Sequence, residues 1–170
     1  MQEAIVKNSK LEIAGRYLTF SLKENSYAVP IIRVQEIIGV CPITKVPKSR
    51  PYLRGIMNLR GKVIPVVELR LLLGMPEQAY SDRTCFVVVS SNISGEPLSC
   101  GLVVDEVNEV IDLAGEELTG TNSQFEQVNR NFLIGFGRSD KTVAMLFDVD
   151  AMLAQIVSDR KIGFKEKLVD

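Results

Sequence analysis

The side chains that could do chemistry in this chain include no imidazole, because none of its 170 residues is histidine. Imidazole supplies most general bases that work near neutral pH, and it activates many serine and cysteine nucleophiles and binds most catalytic zinc ions. The composition therefore lowers the expectation of an enzyme without excluding one.

The carboxylates do not form a catalytic pair. Asp105 and Glu106 are adjacent in "GLVVDEV", and adjacent residues of a strand point to opposite faces of the sheet. Asp148 and Asp150 flank Val149 at the start of a helical pattern, where an aspartate caps the helix or faces solvent. No nucleophile, base and oxyanion site come together, so we predict no catalytic residue.

The segment "GIMNLRGKV" has only a superficial likeness to a phosphate-binding loop. Five residues separate Gly55 from Gly61, and Val63 follows the lysine. The phosphate-binding loop has four residues between its glycines and a serine or threonine after its lysine. The segment fails in both spacing and chemistry.

The cysteines predict neither a metal site nor a disulfide framework. Cys41, Cys85 and Cys100 are odd in number, lie in or beside apolar segments and form no CxxC spacing. We expect buried, reduced thiols. The sequence predicts no metal and no cofactor.

Three residues are unusual because their type does not match their surroundings. Glu36 in "IIRVQEII" and Arg60 in "MNLRG" are charges beside apolar strands, and Phe125 is an aromatic residue in a polar loop. A charge beside a core is costly unless it is paired. Glu36 and Arg60 either pair with each other or line a groove for a protein partner, and both can hold together. Phe125 either folds back into the core or anchors an interface.

Size and charge are those of an ordinary folded protein. The length suits one domain, or two small ones that share a core. The net charge of −1 and the pI near 5.6 argue against a binder of nucleic acid or of membrane surfaces. The sequence has neither a signal-peptide pattern nor a run of about 18 apolar residues. We expect a cytoplasmic protein with no membrane insertion.

Many short apolar runs separated by Gly, Pro, Asn and Ser predict a mainly β chain. "RYLTFSL" and "YAVPII" form a first hairpin, and "IMNLR" and "KVIPVVEL" form another around Gly61. "RLLLGM" predicts a short helix that ends at Gly74. The tail "SDRKIGFKEKLVD" is charged and is expected to be solvated.

The second half of the chain repeats the first. "VQEII" from Val34 recurs as "VNEVI" from Val107, an offset of 107 − 34 = 73. "YLRG" and "KVIPVVELRLLL" recur as "FLIG" and "TVAMLFDVDAML" at an offset of 132 − 52 = 80. A duplicated unit of five short strands favours two small barrels, because closure removes sheet edges. The polar stretch 74–83 is the expected boundary between them.

These segments together resemble the CheW family of bacterial chemotaxis coupling proteins. The likeness runs from about residue 14 to 155, and its most specific parts are "LRGKVIPVVEL" and "VDEV". The resemblance implies two tandem five-stranded SH3-like barrels that share a hydrophobic core, with short helices. The first barrel spans about 14–75 and the second about 83–150, elements cross between them, and 1–13 and 156–170 are terminal extensions.

The resemblance also implies a non-enzymatic adaptor, monomeric alone, that binds the cytoplasmic tip of chemoreceptors and the regulatory domain of the histidine kinase CheA. It would be cytoplasmic and recruited to membrane-associated receptor arrays. The implied receptor-binding groove contains Ile31, Val34, Glu36, Arg60, Val107 and Val110. Arg54 and Phe125 are the implied kinase contacts, and Gly55 and Gly61 the implied turn glycines.

Alternatives remain open within the same class and outside it. The alternatives in the same class are a coupler of another chemosensory pathway, such as one for type IV pilus motility, and the coupling half of a CheV-like adaptor. An enzyme or a nucleic-acid-binding barrel is disfavoured by the absence of histidine and the slightly acidic charge.

Overall fold

The fold is mainly β, as the sequence predicts. The computed structural model describes residues 14–114, 118–120, 132–139 and 142–168. In those ranges the strands are β1 (Gly15–Leu22), β2 (Asn25–Pro30), β3 (Val34–Gly39), β4 (Leu53–Leu59), β5 (Lys62–Glu68), β6 (Cys85–Ile93), β7 (Glu96–Val104), β8 (Glu106–Leu113), β9 (Leu118–Gly120), β10 (Leu133–Ser139) and β11 (Thr142–Phe147). The helices are α1 (Leu69–Leu72) and α2 (Val149–Leu168), and a 3₁₀ turn at Ile31–Arg33 follows β2.

The strands form two sheets with matching strand order. Sheet 1 has the order β8-β1-β2-β11-β10-β9, and sheet 2 has the order β3-β6-β7-β5-β4. Apart from β9, each strand of sheet 1 has a counterpart at the same place in sheet 2. The predicted fold class, two five-stranded units, is confirmed, with β9 as a sixth strand in sheet 1.

The repeat is visible in the strand register as well as in the sequence. Ala28 of β2 pairs in parallel with Leu146 of β11, and Gly101 of β7 pairs in parallel with Val66 of β5. Ala28 corresponds to Gly101 at the offset of 73, and Val66 corresponds to Leu146 at the offset of 80. The two sheets therefore have equivalent pairing at their centres.

The hairpins, however, are exchanged between the halves. The β1–β2 hairpin joins sheet 1 with β8, β10 and β11, whereas the β6–β7 hairpin joins sheet 2 with β3, β4 and β5. Sheet 2 is thus built from one continuous segment, and sheet 1 from the strands on either side of it. The expected boundary at 74–83 does not divide the two sheets, because it lies between α1 and β6, inside the segment that forms sheet 2.

A hydrophobic core is shared by both halves. In its largest cluster the rings of Phe20, Tyr27 and Phe147 stack, with the Tyr27 and Phe147 centroids 5.4 Å apart. Leu102 and Ile156 are buried in the same cluster. Each sheet also has its own smaller cluster of buried residues. The smaller clusters stabilise the individual sheets, and the largest cluster joins the two sheets.

The second helix is longer than the sequence suggested. Asp148 accepts a hydrogen bond from the Ala151 N–H at 3.1 Å and so caps α2, as expected for an aspartate before a helix. Helical structure continues to Leu168, through the tail that was expected to be solvated. Ile156, placed in the terminal extension by the sequence, is buried in the core.

The three cysteines form no disulfide. Cys100 is buried, but Cys41 and Cys85 are only half-buried, which corrects the expectation for those two. Burial raises the pKa of the Cys85 thiol.

Candidate protein-binding surfaces

Arg60 lies in the two-residue turn between β4 and β5. Leu59 pairs with Lys62, and Arg60 and Gly61 have φ values of 53° and 85°. Two successive positive φ values are what a type I′ hairpin turn requires. The Asn58 side chain accepts the Gly61 N–H at 2.9 Å. The turn presents the Arg60 side chain to solvent.

The predicted ion pair between Glu36 and Arg60 is present. Arg60 Nη2 lies 3.0 Å from Glu36 Oε2, and the two side chains are 78% and 18% exposed. Glu36 Oε1 is buried and has no hydrogen-bond partner among the residues that the structure describes. An unpaired buried carboxylate oxygen is costly, so Glu36 depends on Arg60 for its charge partner.

The apolar residues of the predicted groove differ in exposure. Val34 in β3 and Val107 in β8 are equivalent residues of the repeat, and β3 and β8 are edge strands of their sheets. Both valines pack against the largest core cluster. Val110 is 50% exposed, and Ile31 is 37% exposed. Val110 and, in part, Ile31 are therefore accessible at the surface, while Val34 and Val107 contribute mainly to the core.

Two exposed isoleucines beside this set were missed by the sequence reasoning. Ile32 is 80% exposed, and Ile37 is exposed on the outer face of β3. Ile37 corresponds to Val110 at the offset of 73. That correspondence is the signal that could have found it.

Arg54 is held by a cluster around a buried carboxylate. Its Nε donates to Glu68 Oε2 at 3.1 Å, its Nη2 donates to Glu77, and its guanidinium lies 5.8 Å from the centre of the Tyr80 ring. Tyr80 donates its hydroxyl to the same Glu68 oxygen at 2.9 Å. Burial, then the Glu68 charge and hydrogen bond, raise the pKa of Tyr80 to about 12, so this hydroxyl remains a donor at neutral pH.

A cleft of about 550 Å³ lies beside this cluster. Arg54, Glu77 and Tyr80 line it together with Ile43 and Lys45. Arg54 is among the residues predicted from the sequence, and Glu68 is not. The position of Glu68 in the apolar run "VIPVVEL" is the signal that indicates a buried, paired carboxylate.

A second buried ion pair links distant parts of the chain. Arg70 is almost fully buried and binds both oxygens of Asp105, the Nε contact being 2.9 Å. The Lys23 N–H also donates to Asp105, at 2.7 Å. Burial alone would raise the pKa of Asp105, but the bonds from Arg70 and Lys23 outweigh it and lower that pKa.

The remaining carboxylates considered in the sequence have separate partners. Glu106 pairs with Arg83 at 3.3 Å, so it does not act with Asp105. Asp150 binds Arg33 at 3.2 Å and accepts the Ser91 hydroxyl. Within the described part of the chain, no three His, Cys, Asp or Glu residues are placed to hold a metal.

The two predicted turn glycines have different places. Gly61 lies in the β4–β5 turn, whereas Gly55 lies inside β4, at the register shift between Leu53 and Gly55. The prediction of a turn at Gly55 is therefore corrected to a bulge. Phe125 lies outside the described residues.

No helix in the described ranges is both long enough and apolar enough to cross a membrane.

Comparison with known proteins gives consistent matches over most of the chain. Residues 16–157 match the family model described as "CheW-like domain". Chemotaxis protein CheW of Klebsiella aerogenes is 26% identical over 84% of this chain and 83% of its own length. CheW of Bacillus subtilis is 30% identical over 65% of this chain and 68% of its own length.

A solved structure agrees with the fold. The scaffolding protein TtCheW from Thermoanaerobacter tengcongensis superposes with a TM-score of 0.72 at 29% identity, over 80% of this chain and 90% of its own. The likeness therefore covers both sheets rather than one repeat.

Proposed function

Because the chain belongs to the CheW-like family, whose model matches residues 16–157, we propose that it couples chemoreceptors to the histidine kinase CheA. It acts as a scaffold and not as an enzyme. In this proposal the chain is cytoplasmic, monomeric alone, and recruited to membrane-associated receptor arrays through its two partners.

The observation that carries the proposal is the Glu36–Arg60 pair at the edge of sheet 2. The pair presents an exposed guanidinium next to a buried carboxylate oxygen that lacks a partner among the described residues. Exposed Ile32 and Ile37 lie on the neighbouring turn and strand. An amphipathic helix with apolar anchors and a polar acceptor for the Arg60 guanidinium fits such a rim, and a receptor tip is a bundle of such helices.

The kinase-binding surface in this proposal is the cleft at Arg54. Glu68, Glu77 and Tyr80 fix the arginine in place, so little side-chain entropy is lost when a partner packs against it. Phe125 remains part of the proposal as a second kinase contact.

The decisive test is a pair of titrations with the purified full chain. One uses a receptor cytoplasmic-tip fragment and the other the CheA regulatory domain, both from the same organism. We expect saturable binding to each, and no catalysis by the chain itself. CheA autophosphorylation should rise only when receptor and this protein are both present. Failure to bind both partners would refute the proposal.

A further inference from the structure

A polar cavity of about 200 Å³ lies at the β10–β11 hairpin end of sheet 1. Its polar lining residues are Thr19, Ser26, Asn108, Glu109, Ser139 and Thr142. Ile111 and Ala144 complete the lining. Four hydroxyls, an amide and a carboxylate around a space of this size suit a polar guest better than an apolar one.

At the cavity, sheet 1 has smaller or more polar residues where sheet 2 has larger or apolar ones. The corresponding pairs are Thr19 and Val88, Ser139 and Leu59, and Ala144 and Ile64. In sheet 2, Val88 and Ile64 are buried in its own core cluster, and Leu59 packs against that cluster. In sheet 2, apolar side chains of the protein thus occupy the space that corresponds to the cavity.

The carboxylates of the two sheets also correspond, but their partners do not. Glu109 is the counterpart of Glu36 at the offset of 73, and Asp140 is the counterpart of Arg60 at the offset of 80. In sheet 2 the hairpin supplies an arginine to Glu36. In the sequence of the second half the corresponding residue is an acid, so the repeat provides no arginine for Glu109 at that position.

Thr19 fixes the backbone at Glu109. Its hydroxyl accepts the Glu109 N–H at 3.0 Å and donates to the Glu109 carbonyl at 2.7 Å. These two bonds bridge the irregular pairing between β1 and β8. The buried Thr19 side chain therefore fixes the position of the Glu109 backbone, although Glu109 lies on an edge strand.

We propose that this cavity receives an arginine side chain of the receptor helix. That arginine would pair with Glu109 as Arg60 pairs with Glu36. This inference rests on the proposed function. Guanidinium presents five N–H donors, which carboxylate and hydroxyl oxygens can accept. β8 is an edge strand of sheet 1. A helix that lies along β8 would contact exposed Val110 on one face of the strand. Its side chains would reach Glu109 and the cavity on the opposite face.

The test is a double-mutant cycle between the full chain and the receptor-tip fragment. Glu109→Gln removes the charge, and Ser139→Leu fills the cavity as Leu59 does in sheet 2. Each should weaken receptor binding about tenfold, the size expected for a charge-assisted hydrogen bond. One receptor Arg→Ala variant should weaken binding by wild type to the same extent and should have no further effect on Glu109→Gln.

Three controls separate the inference from its alternatives. Asp112→Asn changes an exposed carboxylate of β8 outside the cavity lining and should leave binding unchanged. Lys141→Ala tests an internal cation next to Asp140 in sequence, and the same loss of binding with it would overturn the inference. CheA regulatory-domain affinity should be unchanged in Glu109→Gln, and a loss confined to CheA would also overturn it.

The two possible failures can be told apart. If wild type binds the receptor tip and Glu109→Gln binds equally well, the arginine site is refuted while the coupling function stands. If wild type does not bind the receptor tip at all, the inference fails together with the receptor part of the proposed function.

Discussion

Arg60 occupies a position that the fold alone does not explain. Its φ of 53° places it in the left-handed region, where glycine and asparagine are favoured and other residues are strained. Its side chain is mostly exposed, so its pair with Glu36 is of the kind that contributes less than about 1 kcal/mol. Neither the turn nor the core therefore requires an arginine, which supports a role toward a partner.

Replacing Arg60 with asparagine should separate folding from binding. We expect Arg60→Asn to change the free energy of unfolding by less than about 1 kcal/mol, because the relief of turn strain offsets the loss of the partner of Glu36. Binding to the receptor tip should weaken about tenfold, because the exposed guanidinium is lost. Urea unfolding and a binding titration measure the two effects.

Lys48→Asn is the matched control, because Lys48 also has a positive φ, of 57°. It should relieve strain in the same way and leave receptor binding intact. If Arg60→Asn binds the receptor tip as wild type does, Arg60 is not a receptor contact.

Asp105 and Arg70 differ from the Arg60 pair, because Arg70 is buried and its charge needs the carboxylate of Asp105 as a partner. The folded-state pKa of Asp105 is below its usual value of 3.8, so the ionised form is favoured by folding. Its stabilising effect is complete above that usual value and is lost as the pH falls through the lowered folded-state pKa. Acid should therefore weaken the link between α1 and the β7–β8 junction.

Asp105→Asn should remove this pH dependence. At pH 6 we expect the free energy of unfolding to fall by about 2 kcal/mol, because buried Arg70 loses a charged partner. The difference from wild type, measured by urea unfolding at pH 6 and at pH 3, should be smaller at pH 3, because the effect is lost only as the pH falls below the usual value of 3.8. Glu106→Gln, which breaks only an exposed pair with Arg83, should change stability by less than about 0.5 kcal/mol at either pH. A constant difference for Asp105→Asn would contradict the assignment.

At the scale of elements, Gly55 is where β4 can bulge. Its φ is +151°, and an added Cβ would lie 2.7 Å from Ile43 Cγ2 and closer still to the Thr44 carbonyl oxygen. Thr44 and Ile56 form two backbone hydrogen bonds of 2.8 Å beside it. A side chain at this position would have to displace that backbone as well as adopt a strained φ.

Gly55→Ala should therefore destabilise the protein by about 3 kcal/mol, the combined order of backbone strain and overpacking. Gly39→Ala, in β3 with open space around it, is the control and should change stability by less than about 0.5 kcal/mol. Thermal or urea unfolding compares them. Equal effects of the two substitutions would show that the bulge tolerates a side chain.

The repeat explains which elements could be predicted from the sequence. Matching segments at fixed offsets predict matching strands, and the hairpin around Gly61 places Arg60 where it reaches Glu36 on β3. The family resemblance implied that elements cross between the barrels. Offsets do not reveal strand partners, so the repeat alone could not show that the β1–β2 and β6–β7 hairpins are the exchanged elements. The Arg54 site was found only in part, because Tyr80 comes from the linker and Glu68 looks like a helix cap, as its counterpart Asp148 is.

At the scale of the whole molecule, the exchange makes the two halves of the sequence interdependent. A fragment of residues 1–78 contains β1 and β2 without the rest of sheet 1, and β3 without β6 and β7, which separate it from β5. Isolated hairpins are marginally stable in water. Residues 31–104, by contrast, contain every strand of sheet 2 in one segment and its complete core cluster.

These two fragments of similar length should behave differently. We expect residues 31–104 to unfold cooperatively in urea and to protect amides of β5, β6 and β7 from hydrogen exchange, because those strands keep their sheet neighbours. Residues 1–78 should show no cooperative transition alone and should gain one on mixing with residues 79–170, which restores both sheets. Circular dichroism and hydrogen exchange report the outcome. A cooperative transition in 1–78 alone, with none in 31–104, would mean that the sequence repeat and not the strand exchange defines the folding unit.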